Sequence, residues 1–150
     1  GGKASMSSKD TPLLLLVESD ILVRHPLAQY LRECGFMVIE AANADEARQL
    51  LLESGRKIDV VLADAGHDQG SGFSLAAWIR SHFPNIDVSL AGTMTRAVER
   101  AGELCEDGPA GRRPYDHQLL LNQIKRLLAA RERPRPGRNG PTRSGLRAVR

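Results

Sequence analysis

The acids of this 150-residue chain that could do chemistry stand at the ends of apolar runs. The run at 60–63 ends on Asp64, and loop-forming residues (AGHDQGSG) follow at once. The run LLLLV ends on Glu18, Ser19 and Asp20. If those two runs are neighbouring strands, Glu18, Asp64 and Asp20 share one crevice. Carboxylates so placed repel, by about 4 kcal/mol for two unit charges at ~4 Å and an effective dielectric near 20. A raised pKa, a bound cation or a basic side chain relieves that repulsion. An open, oxygen-rich, acidic cleft suits Mg²⁺, which keeps several waters and takes one or two carboxylates. A carboxylate beside such an ion can also attack a phosphoryl group and form an acyl phosphate.

The elements that must position these acids follow from hydrophobic period. Residues 13–17 form an apolar run without alternation, which is the pattern of a strand buried on both faces. Residues 22–34 are helical, with Val23, Leu27, Tyr30, Leu31 and Cys34 on one face. Pro26 is expected in or near the first turn, where a missing N–H does least harm, and Gly35 ends the helix. Strands are expected at 36–40, 58–63 and 86–91. Asn43 caps a helix through Ala47, Leu50 and Leu51. A helix at 73–82 buries Leu75, Ala76 and Ile79. Thr93 or Thr95 caps another through Ala97, Val98, Ala101 and Leu104. Asp116 starts a last helix with Leu120, Ile124, Leu127 and Leu128 in a stripe. Between these two lies EDGPAGRRP, poor strand material where a fifth strand is due. Strands alternating with helices predict parallel β-α units with right-handed crossovers. Such sheets bind ligands beyond the carboxyl ends of their strands, where strand order reverses.

Composition narrows the function classes. No apolar run approaches the roughly 18 residues of a membrane span, and no basic-then-apolar leader suggests export, so a cytoplasmic protein is expected. Gly1–Ser5 reads as a tag remnant before a natural start at Met6, and 1–10 as a disordered N-terminus. The net charge is +3. Residues 131–150 hold seven Arg and one Glu, hence +6, which leaves −3 for the rest. Residues 132–150, rich in Arg, Pro and Gly, cannot bury enough surface to offset their ordering entropy and are expected to be disordered. Cys34 and Cys105 are far apart and in no metal or redox spacing, and are read as separate buried thiols. His25, His67, His82 and His117 form no metal spacing either. No nucleophile elbow and no phosphate-cradling glycine loop points to a hydrolase. The arginine tail has no interleaved aromatics for base stacking, so nucleic acid is not the expected partner.

The segments LLLLVESDILVRHPLAQYLRECGFMVIEAANADEA, DVVLADAGHDQGSGFSLAAWIR and RRPYD together resemble the receiver domain of two-component response regulators. The resemblance runs from Leu13 to about Arg131, and 11–131 is the implied domain. It implies a flavodoxin-like (βα)5 three-layer sandwich with a parallel sheet ordered 2-1-3-4-5 and a weak fifth strand at 110–112. Asp64 falls on the family's phosphoacceptor. Glu18, Asp64 and the carbonyl of Gly66 fall on its Mg²⁺ ligands, and Gly72 on the glycine closing the loop. Several positions depart from the family pattern. Ser19 replaces the second acid of the pair after the first strand, with Asp20 following. Ala91, before Gly92, replaces the Thr or Ser that contacts the phosphoryl group. Arg113 replaces the lysine before proline, and Ala110 the switch aromatic.

These departures set two readings against each other. In the first, a stand-alone receiver accepts a phosphoryl group on Asp64 from a histidine kinase or histidine phosphotransfer protein. It then signals by protein–protein contact, not as an enzyme. In the second, a degenerate receiver acts as a phosphorylation-independent interaction module. A neutral Ser19 oxygen binds Mg²⁺ less tightly than a carboxylate, so the ion is expected to be held weakly or not at all. Losing the hydroxyl at Ala91 removes a hydrogen bond to a charged group, worth roughly 1.5–3 kcal/mol. Arg113 keeps the charge but is a planar fork rather than an ammonium point. It is expected to pair with Asp64 or Glu18 and partly to replace the metal. Trp78 is expected within reach of the crevice. A second copy of the chain is a further partner to test, and no membrane is implicated.

Overall fold

The molecule is described from a computed structural model, for residues 11–64, 69–107 and 116–133. Its centre is a parallel sheet of four strands: β1 (Leu13–Val17), β2 (Met37–Ala41), β3 (Val60–Asp64) and β4 (Asp87–Ala91). Their order is β2-β1-β3-β4, all pairs parallel. β1 lies inside the sheet because Leu14 to Val17 are apolar on both faces, and all four are buried. Alternate side chains point to opposite layers. Leu14, Leu16 and Leu62 join one apolar cluster, and Leu15, Val17, Val61 and Ala63 the other.

Helices cover both faces. On one lie α2 (Ala44–Ser54) and α3 (Gln69–His82), burying Ala47, Leu51, Leu75 and Ile79. On the other lie α1 (Ile21–Glu33), α4 (Met94–Asp107) and α5 (His117–Glu132), with Leu27, Leu31, Val98, Ala101, Leu120 and Ile124 inward. This is the three-layer flavodoxin-like arrangement implied by the resemblance, with strand order 2-1-3-4. The expected fifth strand lies outside the described residues, as do 1–10 and 134–150.

Local chemistry sets the element ends. Asp20 Oδ1 accepts from Leu22 N at 3.0 Å and starts α1. That cap begins the helix earlier than the apolar stripe suggests. Pro26 is the sixth residue of α1, just past the first turn, where the proline ring removes one i→i−4 donor. Gly35, with φ 109°, turns the chain after α1, a conformation that side chains resist. α2 opens on a reciprocal cap: Asn43 Oδ1 accepts from Glu46 N (2.8 Å) and Glu46 Oε1 from Ala42 N (2.7 Å). Thr93 Oγ1 accepts from Arg96 N at the head of α4 (3.1 Å), and Asp116 Oδ1 from Gln118 N at the head of α5 (3.1 Å).

Two features differ from the expectations. Cys34 and Cys105 are not separate thiols but a disulfide, with Cα atoms 5.3 Å apart and a sequence separation of 71. The pairing arises because α4 packs on the same face as α1. Arg100 of α4 donates to Ser89 Oγ (2.8 Å) and lies 3.9 Å from Asp87 Oδ2, both on the face of β4 that Leu62 shares through the β3–β4 register. Trp78 is half-buried and is not among the residues lining the cleft at the strand ends. It stacks on His82 (ring centroids 4.7 Å apart), tilts against Phe83 and lies beneath the Arg48 guanidinium.

Candidate functional site

The register of the sheet brings the acids together. Val17 pairs with Ala63, so the next residues, Glu18 and Asp64, leave adjacent strands side by side. Adjacent strands lie about 4.8 Å apart. Asp64 in turn pairs with Ala91 at the end of β4. Beyond these strand ends opens a cleft of about 600 Å³. Glu18, Ser19, Asp20, Asp64, Gly92 and Arg131 are among its lining. Thus five of the expected site residues share one cleft. Ala91 is buried behind it and does not line it. Gly66 and Arg113 lie outside the described residues.

Glu18 is the buried member, 5% exposed. Its backbone N donates to Ala41 O (3.0 Å), which fixes it to β2. Its carbonyl accepts from Arg24 Nη1 (3.1 Å), and Arg24 is held by Glu40 at 3.0 Å. Its carboxyl Oε2 accepts from Asp20 N (2.7 Å). Its Oε1 is buried with no hydrogen-bond partner among the described residues. Burial and the neighbouring Asp64 carboxyl group push the Glu18 pKa up to about 8. Once protonated, Glu18 can share a hydrogen bond with Asp64, which two ionised carboxylates cannot. Near neutral pH the buried Glu18 therefore favours its protonated form.

Asp20 plays a different part. Its two carboxylate oxygens accept from Arg131 Nη1 and Nη2, both at 2.9 Å, a bidentate pair joining the head of α1 to the end of α5. Hydrogen bonding from Arg131 is the largest cause holding the Asp20 pKa below the usual aspartate range. With one face on the helix cap and both oxygens on Arg131, Asp20 is committed to structure. The basic side chain described in the cleft is thus Arg131. The sequence held a signal for it: Ile124, Leu128 and Arg131 follow at four- and three-residue spacing on one stripe of α5. Arg24 was likewise missed, because its partner Glu40 is remote in sequence.

Replacing Arg131 should free Asp20. In Arg131→Gln the Asp20 carboxyl is expected to titrate nearer the ordinary aspartate value of 3.8. Side-chain carboxyl shifts followed by NMR across acidic pH would show this, and an unmoved Asp20 titration would disprove the pairing.

Acids at the carboxyl ends of adjacent parallel strands, one of them buried, define a class: an α/β fold of the doubly wound kind with an acidic crevice at its strand ends. The comparisons agree. The family profile "Response regulator receiver domain" matches residues 14–111, and the chain belongs to that family. It is 36% identical over 124 residues to the transcriptional regulatory protein GltR of Pseudomonas aeruginosa, covering 77% of this chain and 48% of GltR. The chain thus spans about half the length of that relative. Among solved structures it resembles the non-phosphorylated HemR receiver domain from Leptospira biflexa, with a TM-score of 0.50 and 27% identity, over 83% of this chain and 98% of that one. A receiver domain from Clostridium thermocellum, at 20% identity, shares the fold with a TM-score of 0.51, over 79% and 98% of the two chains. The protein is therefore a receiver domain of a response regulator, consistent with two-component signalling. Receiver domains are in general signalling modules rather than enzymes, and they interact with kinases and phosphotransfer proteins. Among the described residues, no helix is long and apolar enough to cross a membrane.

Receiver domains typically bind Mg²⁺ for phosphorylation. The residues present fit such an ion in part. Glu18 offers an orphaned carboxylate oxygen beside Asp64, and the open cleft leaves room for waters. Ser19 adds no charge and Asp20 is taken by Arg131. Glu18 and Asp64 are the carboxylates that remain at the cleft.

Proposed function

We propose that Asp64 accepts a phosphoryl group from a histidine kinase or histidine phosphotransfer protein, and that the product signals by protein–protein contact. The observation that carries this reading is the unpartnered Glu18 oxygen held next to Asp64 at the cleft floor. A buried carboxyl group with only Oε2 accepting from a backbone N–H is costly to ionise unless a proton or a cation meets its other oxygen. Glu18 and Asp64 would hold Mg²⁺, with the Gly66 carbonyl as a further candidate ligand. The ion would offset the negative charge of the incoming phosphoryl group. Asp64 supplies the attacking carboxylate oxygen. Gly92 leaves open space at the end of β4, where an added Cβ would meet nothing within 4 Å, so the phosphoryl group is not obstructed there. Arg113 is proposed as the second positive charge facing that group. A cytoplasmic location follows from the partners this reading requires.

A second reading, a phosphorylation-independent module, is favoured by the absence of a hydroxyl at Ala91 and of a carboxylate at Ser19. Beryllofluoride with Mg²⁺ separates the two. Under the first reading, amide resonances of Asp64, Gly92 and Thr93 shift on addition of the complex, and Asp64→Asn abolishes the shifts. Spectra unchanged by beryllofluoride in the wild-type protein would favour the second reading.

A further inference from the structure

We propose that Cys34 and Cys105 form a redox-addressable site, and that their thiol or disulfide state sets how α4 frames the phosphoacceptor cleft. The proposal goes beyond the reading of Asp64 as phosphoacceptor and rests on it only for its signalling consequence.

The position of the pair carries the argument. α1 and α4 each follow the carboxyl end of a parallel strand, so the two helices run in the same direction. Their heads meet the same cleft: Asp20 caps α1 there, and Gly92, Thr93 and Met94 bring α4 to it. Their far ends are joined by the disulfide, since Cys34 is the C-cap of α1 and Cys105 lies in the last turn of α4. Helices of 13 and 14 residues rise by roughly 20 Å at ~1.5 Å per residue, so the tether sits about that far from Asp64. One covalent bond thereby closes a frame whose open side is the functional site.

Much of the apolar packing that otherwise seats α4 is made by small side chains: Ala97, Val98 and Ala101 lie inward, with Leu104 as the one buried leucine and Met94 packed at the cluster's edge. At Gly102 an added Cβ would fall 2.7 Å from His117 Nδ1, so α4 lies close on α5 through absence of bulk rather than through large interlocking side chains. With three of its inward positions small, α4 gains restraint from the tether at its far end. Both cysteines are buried, Cys105 at 6% exposure and Cys34 at 1%. Cys105 is the more accessible, near the end of its helix, and is the expected entry point for exchange.

The oxidant is a small-molecule disulfide. The Cys105 thiolate attacks one sulfur of it, forming a mixed disulfide and releasing one small thiolate. The Cys34 thiolate then attacks Cys105 Sγ in the mixed disulfide, forming the Cys34–Cys105 bond and releasing the second. Two electrons pass from the protein thiols to the small disulfide, and the two protons leave to solvent or to the released thiolates. A dithiol reductant reverses both steps.

The test uses the full chain, air-oxidised or treated with dithiothreitol, beside a Cys34→Ala/Cys105→Ala variant. Alkylation under denaturing conditions, read by intact mass, should label no thiol before reduction and two after. Far-UV circular dichroism verifies that the reduced protein remains folded. Reduction should shift the Gly92, Thr93 and Met94 amides, and the double variant should match the reduced spectrum. Phosphorylation of Asp64 by acetyl phosphate should slow about fivefold on reduction, the lower end of ordinary coupling between distant sites. Free thiols in the oxidised sample, or cleft amides that ignore reduction, overturn the proposal. If redox-dependent amide shifts occur while Asp64 takes no phosphoryl group in either state, the phosphoacceptor reading fails and the redox site stands.

Discussion

Mg²⁺ should bind this protein about fifty-fold more tightly near pH 8 than near pH 6, because the ion displaces a proton from a group whose pKa is about 8. That group is Glu18, whose acid form is favoured first by burial and then by the Asp64 carboxyl group beside it. Metal binding needs the ionised form, so apparent affinity rises close to tenfold per pH unit until the pKa is reached. The same shift bears on stability without metal. Glu18 has a folded pKa above its ordinary 4.5, so the folded chain holds more protons than the unfolded chain between 4.5 and about 8. Stability is therefore fully present below about 4.5 and declines as pH rises through that window. Glu18→Gln should remove both effects. It should weaken the metal and leave stability flatter across the window. Calorimetric titration of Mg²⁺ at several pH values checks the first expectation. An affinity independent of pH would mean that Glu18 is already ionised or takes no part.

Reducing the Cys34–Cys105 bond should lower unfolding stability by about 4 kcal/mol, the chain-entropy value for a closed loop of this size. The loop spans 71 residues and encloses every element from β2 to β4 and most of α4. In a domain of this size, such a loss moves the midpoint of thermal unfolding by roughly 15 °C. Cys34 and Cys105 stay in an apolar cluster after reduction, so the loss comes chiefly from the freedom the unfolded chain regains. The Cys34→Ala/Cys105→Ala variant should lose at least as much, since two small cavities add to the lost constraint. Urea melts with and without dithiothreitol read this directly. Coincident melts would show that the bond does not restrain the unfolded chain.

The sequence made the strands, the caps at Asn43, Thr93 and Asp116, and the converging acids legible, because each depends on residues within a few positions. β1 could be read as central from four consecutive buried apolar side chains, and Glu18 and Asp64 followed as ends of neighbouring strands. Whether α4 lies with α1 or with α2 could not be read. Its periodicity shows which side is apolar, but not which layer that side meets. The Cys34–Cys105 pairing depends on that choice and was hidden with it. Arg131 was obscured differently. Its charge belongs by composition to the arginine-rich end of the chain, whereas its stripe on α5 carries it to Asp20.

The central claim is that Asp64, next to Glu18, accepts a phosphoryl group. Incubation with acetyl phosphate and Mg²⁺, followed by intact-mass and peptide analysis, tests it most directly. The expected result is a gain of one phosphoryl group on the peptide bearing Asp64, absent from Asp64→Asn and lost on alkaline hydrolysis as an acyl phosphate requires. A folded wild-type protein that gains no mass, or gains it on another residue, would contradict the claim.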